Sequence, residues 1–236
     1  MKIIIDTNTR EVKFEDDKPM TNNSVAEEVV ESIRDSLGIV DKVVTKTTAK
    51  VSTTPVDDTR FDKIFDYLLF VEGDYSNDKA DKGGKTRYGI IESEARSHGY
   101  KGDMKKLPME FARNIYKEKY YLRYGLDKIT DSRVSLSIVD WYVNSGSWGL
   151  SKAQVAANLC ISGTKDTPLA VDGKIGPKSI DAINSIDPDK FLVTYHKLQR
   201  DFYDAIVRHN PSQKVFLKGW YNRVARKEQY IKTMEV

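Results

Sequence analysis

From Phe61 onward the chain is written in helical periodicity. Phe61, Ile64, Phe65, Leu68 and Leu69 fall on one face of a helix capped near residues 57–59. Glu72 lies eleven positions after Phe61, close to three full turns, so it continues that apolar stripe before Gly73 stops the helix. "PMEFARNIYKEKYYLRY" predicts a second helix with Pro108 at its start. "DSRVSLSIVDWYVNSG" opens on a capping Asp131 or Ser132, closes at Gly146 and is apolar nearly all round, the mark of a buried central helix. "SKAQVAANLCISG" suggests a capping box of Ser151 with Gln154. Pro177 and Asp187-Pro188 open two further helices, and a last one covers residues 212–232.

The first sixty residues differ in kind. Phe14 is their sole aromatic residue, and the other twenty-three begin with Phe61. "KIIID" and "EVKF" flank "TNTR" as a small hairpin, and "NSVAEEVVESIRDSLG" reads as a short helix. The Thr-, Val- and Lys-rich stretch after Gly38 reads as a linker. The organisation expected is therefore an appendage over 1–38, a linker over 39–60, a helical domain over 61–160 and a helical module over 161–236. The appendage serves either to dock an unknown protein or as a plain leader.

Composition narrows the function classes. No apolar run is long enough to cross a bilayer as a helix. Only three isoleucines precede Asp6, too few for a signal-peptide core, so synthesis in the cytoplasm without a signal peptide is expected. The single cysteine, Cys160, precludes an internal disulfide. The three histidines show no paired metal spacing, and no metal or organic cofactor is expected. Residues 1–60 carry a net −3 and the remainder +6, of which +5 falls in residues 191–236. That basic end suits an anionic partner, with Arg223, Arg226 and Lys227 as the charges expected to meet it. Its aromatics sit at helical spacing and read as core, which argues against nucleic acid. Asp140, inside the apolar helix, calls for a salt-bridge partner.

The chemistry concentrates in "VEGDYSNDKADKGGKTRYGI". Glycoside cleavage needs one protonated carboxyl to donate to the leaving oxygen and a second group to steady charge or activate water. Glu72 supplies the acid, and Asp81 or Thr86 on the returning loop the second group; Asp74 and Asp78 read as turn residues. Calcium is disfavoured, because the loop lacks the EF-hand spacing and holds three lysines. Tyr75 and Tyr88 flank the loop, where aromatic faces pack on sugars, and Asn144 and Ser145 end the central helix, where an amide suits an N-acetyl group.

The same stretch resembles the signature of glycoside hydrolase family 108, the N-acetylmuramidases of phage endolysins and of bacterial secretion-assisting muramidases. "VDWYVNSG" is similar to that family's central helix, and "AVDGKIGPKSIDAI" and "KGWYNRVARKEQY" look like its C-terminal peptidoglycan-binding module. Asp74, Lys79, Lys82, Lys85 and Arg87 depart from the family's usual residues. The resemblance implies a mainly α, lysozyme-like domain with Glu72 as essential acid. It would be a monomer acting on peptidoglycan of the bacterial wall, from inside at lysis or from a virion. A lytic transglycosylase and a non-catalytic wall-binding protein are the alternatives.

Overall fold

The computed structural model describes residues 3–6, 11–14, 17–21, 58–72, 75–76, 86–162 and 167–234. Strands β1 (Ile3–Asp6), β2 (Glu11–Phe14) and β3 (Asp17–Thr21) form an antiparallel sheet in that order. The expected hairpin is β1–β2, with Ile3 opposite Phe14. β3 was not foreseen; it holds Pro19, which the ladder tolerates because β3 is an edge strand. The helix expected over 23–38 and the linker up to residue 57 lie outside the described residues.

Eight α-helices occur among the described residues. Helix α1 (Asp58–Glu72) begins inside the stretch read as linker and buries Phe61, Ile64, Phe65, Tyr67 and Leu68. Arg60 anchors its first turn through the carbonyls of Asp127 and Thr130 and the hydroxyl of Ser132. A second antiparallel sheet follows, of β4 (Tyr75–Ser76), β5 (Thr86–Arg87) and β6 (Ile90–Ile91). It leads into the short α2 (Glu92–Ser97). Helix α3 (Met109–Tyr116) has Pro108 as its N-cap and continues as a π-helical turn, Lys117–Leu122.

Helix α4 (Ser132–Ser145) is the centre of the molecule. Asp131 caps it by accepting from the amides of Arg133 at 2.8 Å and Val134 at 3.1 Å, and every residue from Val134 to Ser145 is buried. Gly146, at φ 59° and ψ −142°, ends α4 and begins α5 (Ser147–Ile161) without a spacer. The two helices meet closely at Gly149, where an added Cβ would stand 2.6 Å from the amide nitrogen of Tyr142. Helices α6 (Pro177–Asn184) and α7 (Pro188–His209) start where the prolines predict, and Asp187 caps α7 through the amide of Lys190 at 2.8 Å. Helix α7 packs on α4 and α5, and α8 (Lys214–Ile231) packs on α7 and α4. Among the described residues no helix is long and apolar enough to cross a membrane.

Candidate active site and its supports

Helix α1 delivers Glu72 as its last residue, at a position that continues the face of Phe61, Phe65 and Leu68. The chain beyond it returns as β5, whose Thr86 pairs with Ser76 and whose Arg87 pairs with Tyr75. Thr86 thereby stands across one ladder rung from a residue four positions after Glu72. Thr86 also faces Ile91 on β6, so it occupies the middle strand and is half-buried. Asp81 and Asp78 lie outside the described residues.

Tyr88 and Gly89 form the two-residue turn between β5 and β6, at φ 52° and 73°. Positive φ at both central residues is what a tight hairpin of this hand requires. A tyrosine in that region is strained, and its surroundings hold it there. The hydroxyl of Tyr116 donates to the Tyr88 carbonyl at 3.1 Å, and the Arg87 guanidinium donates to the Tyr88 hydroxyl at 3.0 Å while lying 4.8 Å from the ring centroid. Tyr88 is half-buried. Tyr75 is in β4, opposite Arg87.

Asn144 and Ser145 are buried, at 1% and 0% exposure. Asn144 Oδ1 accepts from Ser145 Oγ at 3.1 Å and from the Tyr203 hydroxyl at 3.0 Å. Tyr203 accepts in turn from Gln199, whose Oε1 accepts from Lys227 Nζ at 2.6 Å. Lys227 and Arg223 both reach Asp140. A continuous buried polar chain thus ties the end of α4 to α7 and α8. Burial alone would raise the Asp140 carboxyl, but the charges of Arg223 and Lys227 hold it below the usual carboxylate range. The partner expected for Asp140 is therefore a pair of cations.

This pairing corrects the role expected of the basic end. Arg223 and Lys227 are not solvated charges free to meet an anionic surface: Lys227 is fully buried, and both neutralise Asp140. Arg226 alone of the three is exposed. The expected capping box is also replaced. Helix α5 begins four residues before Ser151, whose hydroxyl donates back to the carbonyls of Ser147 and Trp148. Gln154 instead grips the loop ahead of α6. It accepts from the amides of Asp172 and Gly173 at 3.1 and 2.9 Å and donates to Asp172 Oδ1 and the Lys174 carbonyl. Gly173, at φ 69°, lies against Ser147, so the "DGKIGP" loop is seated on the start of α5.

Among the described residues no three or more His, Cys, Asp or Glu side chains cluster as a metal site. His196 is buried and bonded to Ser137 Oγ at 3.1 Å, with Glu228 at 3.4 Å on its other nitrogen. Burial pushes its pKa down to about 4.

Residues 65–146 match the family model of glycosyl hydrolase 108. Residues 154–225 match that of the Predicted Peptidoglycan domain. The chain thus carries a region similar to glycosyl hydrolase 108 followed by one similar to the Predicted Peptidoglycan domain. Together the two support a peptidoglycan hydrolase acting at the cell wall. Among solved structures, that of Brucella abortus SagA is similar, with a TM-score of 0.59 and 23% identity over 74% of this chain and 95% of that one. The fold is mainly α and lysozyme-like, as the resemblance implied. No curated protein matches the chain. The first match ends at Gly146, just before α5, and the second begins at Gln154 within it, so α5 spans the gap between the two matched regions.

Proposed function

We propose that this glycosyl hydrolase 108 protein is an N-acetylmuramidase that cleaves the β-1,4 bond between N-acetylmuramic acid and N-acetylglucosamine, with Glu72 as general acid. The observation that carries the reading is the return of the loop: Glu72 closes α1, and β5 brings Thr86 back beside the residues that follow it. A carboxyl at the negative end of a helix dipole is more readily kept protonated, which is what an acid needs before catalysis. Glu72 donates its proton to the glycosidic oxygen, and water attacks the anomeric carbon from the side steered by Asp81 or Thr86. Tyr75 and Tyr88 flank the sugar. Asn144 and Ser145, at the end of α4, complete the substrate-binding set, with the Asn144 amide serving the sugar N-acetyl group. The appendage over 1–38, joined by its linker, docks a partner or serves as a leader, and the enzyme works as a monomer in an endolysin-like role.

Mass spectrometry of muropeptides after digestion of purified peptidoglycan tests this reading. Reducing-end N-acetylmuramic acid is expected. A product one water lighter would identify a transglycosylase, and reducing-end N-acetylglucosamine would overturn the bond assignment.

A further inference from the structure

A ladder of tyrosines runs from the turn that holds Tyr88 across the domain. Tyr116 donates its hydroxyl to the Tyr88 carbonyl and packs on Tyr120 at 5.6 Å between ring centroids. Tyr120 meets Tyr142 edge-on at 5.1 Å, and Tyr142 meets Tyr124 edge-on at 5.4 Å. The members differ in depth. Tyr116 and Tyr142 are buried, at 1% and 8% exposure, whereas Tyr120 and Tyr124 are half-buried. Tyr116, Tyr120 and Tyr124 recur every fourth residue through the π-helical turn, a feature that costs regular hydrogen bonding and is found mostly at functional sites. A cation lies over each half-buried ring: Lys119 Nζ is 5.1 Å from the Tyr120 centroid and the Arg123 guanidinium 5.7 Å from that of Tyr124. Lys119 is fixed from behind by Glu94 at 2.7 Å.

A hexose presents an apolar C–H face edged by hydroxyls and acyl oxygens. The ladder offers the complement: partly exposed rings held in place by buried neighbours, phenol hydroxyls, and a cationic donor over each ring. Tyr120 and Tyr124 pack against the core on one side and keep part of each ring in solvent at the widened turn. The ladder also starts at the turn joining β5 to β6, one residue beyond Arg87 and two beyond Thr86, so a chain lying on it leads into the candidate active site. We propose that Tyr120 and Tyr124 form a glycan-binding subsite that holds the sugar backbone of peptidoglycan beyond the cleaved bond. The proposal rests on the muramidase reading for the identity of the glycan.

Calorimetric titration of the full-length chain with peptide-free peptidoglycan glycan strands tests it, in a Glu72→Gln background so that the strand stays intact. Tyr120→Leu and Tyr124→Leu are each expected to weaken binding by about tenfold, equivalent to ~1.4 kcal/mol. Tyr120→Phe and Tyr124→Phe should retain most of it. In the otherwise wild-type enzyme the leucine variants should raise KM and leave kcat nearly unchanged. Unaltered glycan affinity in folded Tyr124→Leu would overturn the subsite, and this outer-rim variant alone decides the matter if Tyr120→Leu fails to fold. Absence of glycan binding by the parent chain would overturn it too. A chain that binds glycan through these rings yet releases no sugar product would overturn the Glu72 reading while leaving the subsite standing.

Discussion

Asp140 on α4 and Lys227 on α8 meet at 3.0 Å with neither side chain exposed to solvent. Arg223 completes the cluster at 2.7 Å from the other carboxylate oxygen. A buried ion pair is weak evidence of net stabilisation, but removing one partner leaves an uncompensated charge in the interior. Through Gln199 and Tyr203 the cluster also fixes Asn144, so it sets the angle at which α4 ends.

Asp140→Asn is therefore expected to destabilise the fold by about 3–5 kcal/mol, because two cations lose their counter-charge. Lys227→Met should cost less, since Arg223 still neutralises Asp140. The acid limb follows from the sign of the shift. The Asp140 pKa is lower folded than unfolded, so its contribution is present above the ordinary carboxylate pKa and is lost as pH falls through the lower folded value. Chemical denaturation of the two variants checks the ranking; an Asp140→Asn protein with wild-type stability would show that the cluster is dispensable.

His196 adds a second acid-sensitive element. Its pKa falls from 6.5 unfolded to about 4 folded, chiefly through burial, so the unfolded chain takes up its proton first. Stability is then full above pH 6.5 and declines as pH drops toward 4, by roughly 3 kcal/mol at the limit. The charged groups facing it are Glu228, Arg200 and Lys227: Glu228 favours the charged ring, and Lys227 and Arg200 oppose it. Melting curves between pH 7 and 4 should show a slope that His196→Gln flattens; parallel curves would contradict the assignment.

Gln154→Ala should release the loop ahead of α6. Two backbone amides, those of Asp172 and Gly173, lose their acceptor, and a loss of about 1–3 kcal/mol is expected. Retention on insoluble peptidoglycan should fall as well, because the loop lies in the region that matches the Predicted Peptidoglycan domain. A variant that keeps both its melting temperature and its retention would mean that the loop holds its shape unaided.

Capping chemistry made much of the helical frame legible. Asp131, Pro177 and Asp187-Pro188 act within a turn of themselves, so their helices begin where the sequence marks them. The end of α1 at Glu72 was legible for the same reason, at the stop that the following glycine marks in the sequence. The two-residue strands β5 and β6 were not, because strands so short carry no alternation. Long-range partners were hidden altogether. Gln154 finds Asp172 eighteen residues away and Arg223 finds Asp140 eighty-three residues away, and spacing alone does not separate a solvated cation from a buried one. Neutralising Arg223, Arg226 and Lys227 together would thus perturb stability before it reported on binding.

Within the candidate catalytic loop, Asp81→Asn and Thr86→Ala should each reduce turnover more than Asp78→Asn. Thr86 is on the strand that pairs back toward α1, and Asp81 lies nine residues after Glu72. Initial rates on purified peptidoglycan order the three; if Asp78→Asn were the most damaging, the water-steering group would have to be sought earlier in the loop.

The most direct test is the turnover of Glu72→Gln on purified peptidoglycan, with circular dichroism to verify the fold. Loss of a general acid removes roughly 10²–10⁴-fold in rate. A folded Glu72→Gln protein with turnover reduced by that order is the predicted result, and a folded variant that releases reducing sugar at the wild-type rate would contradict the assignment of Glu72.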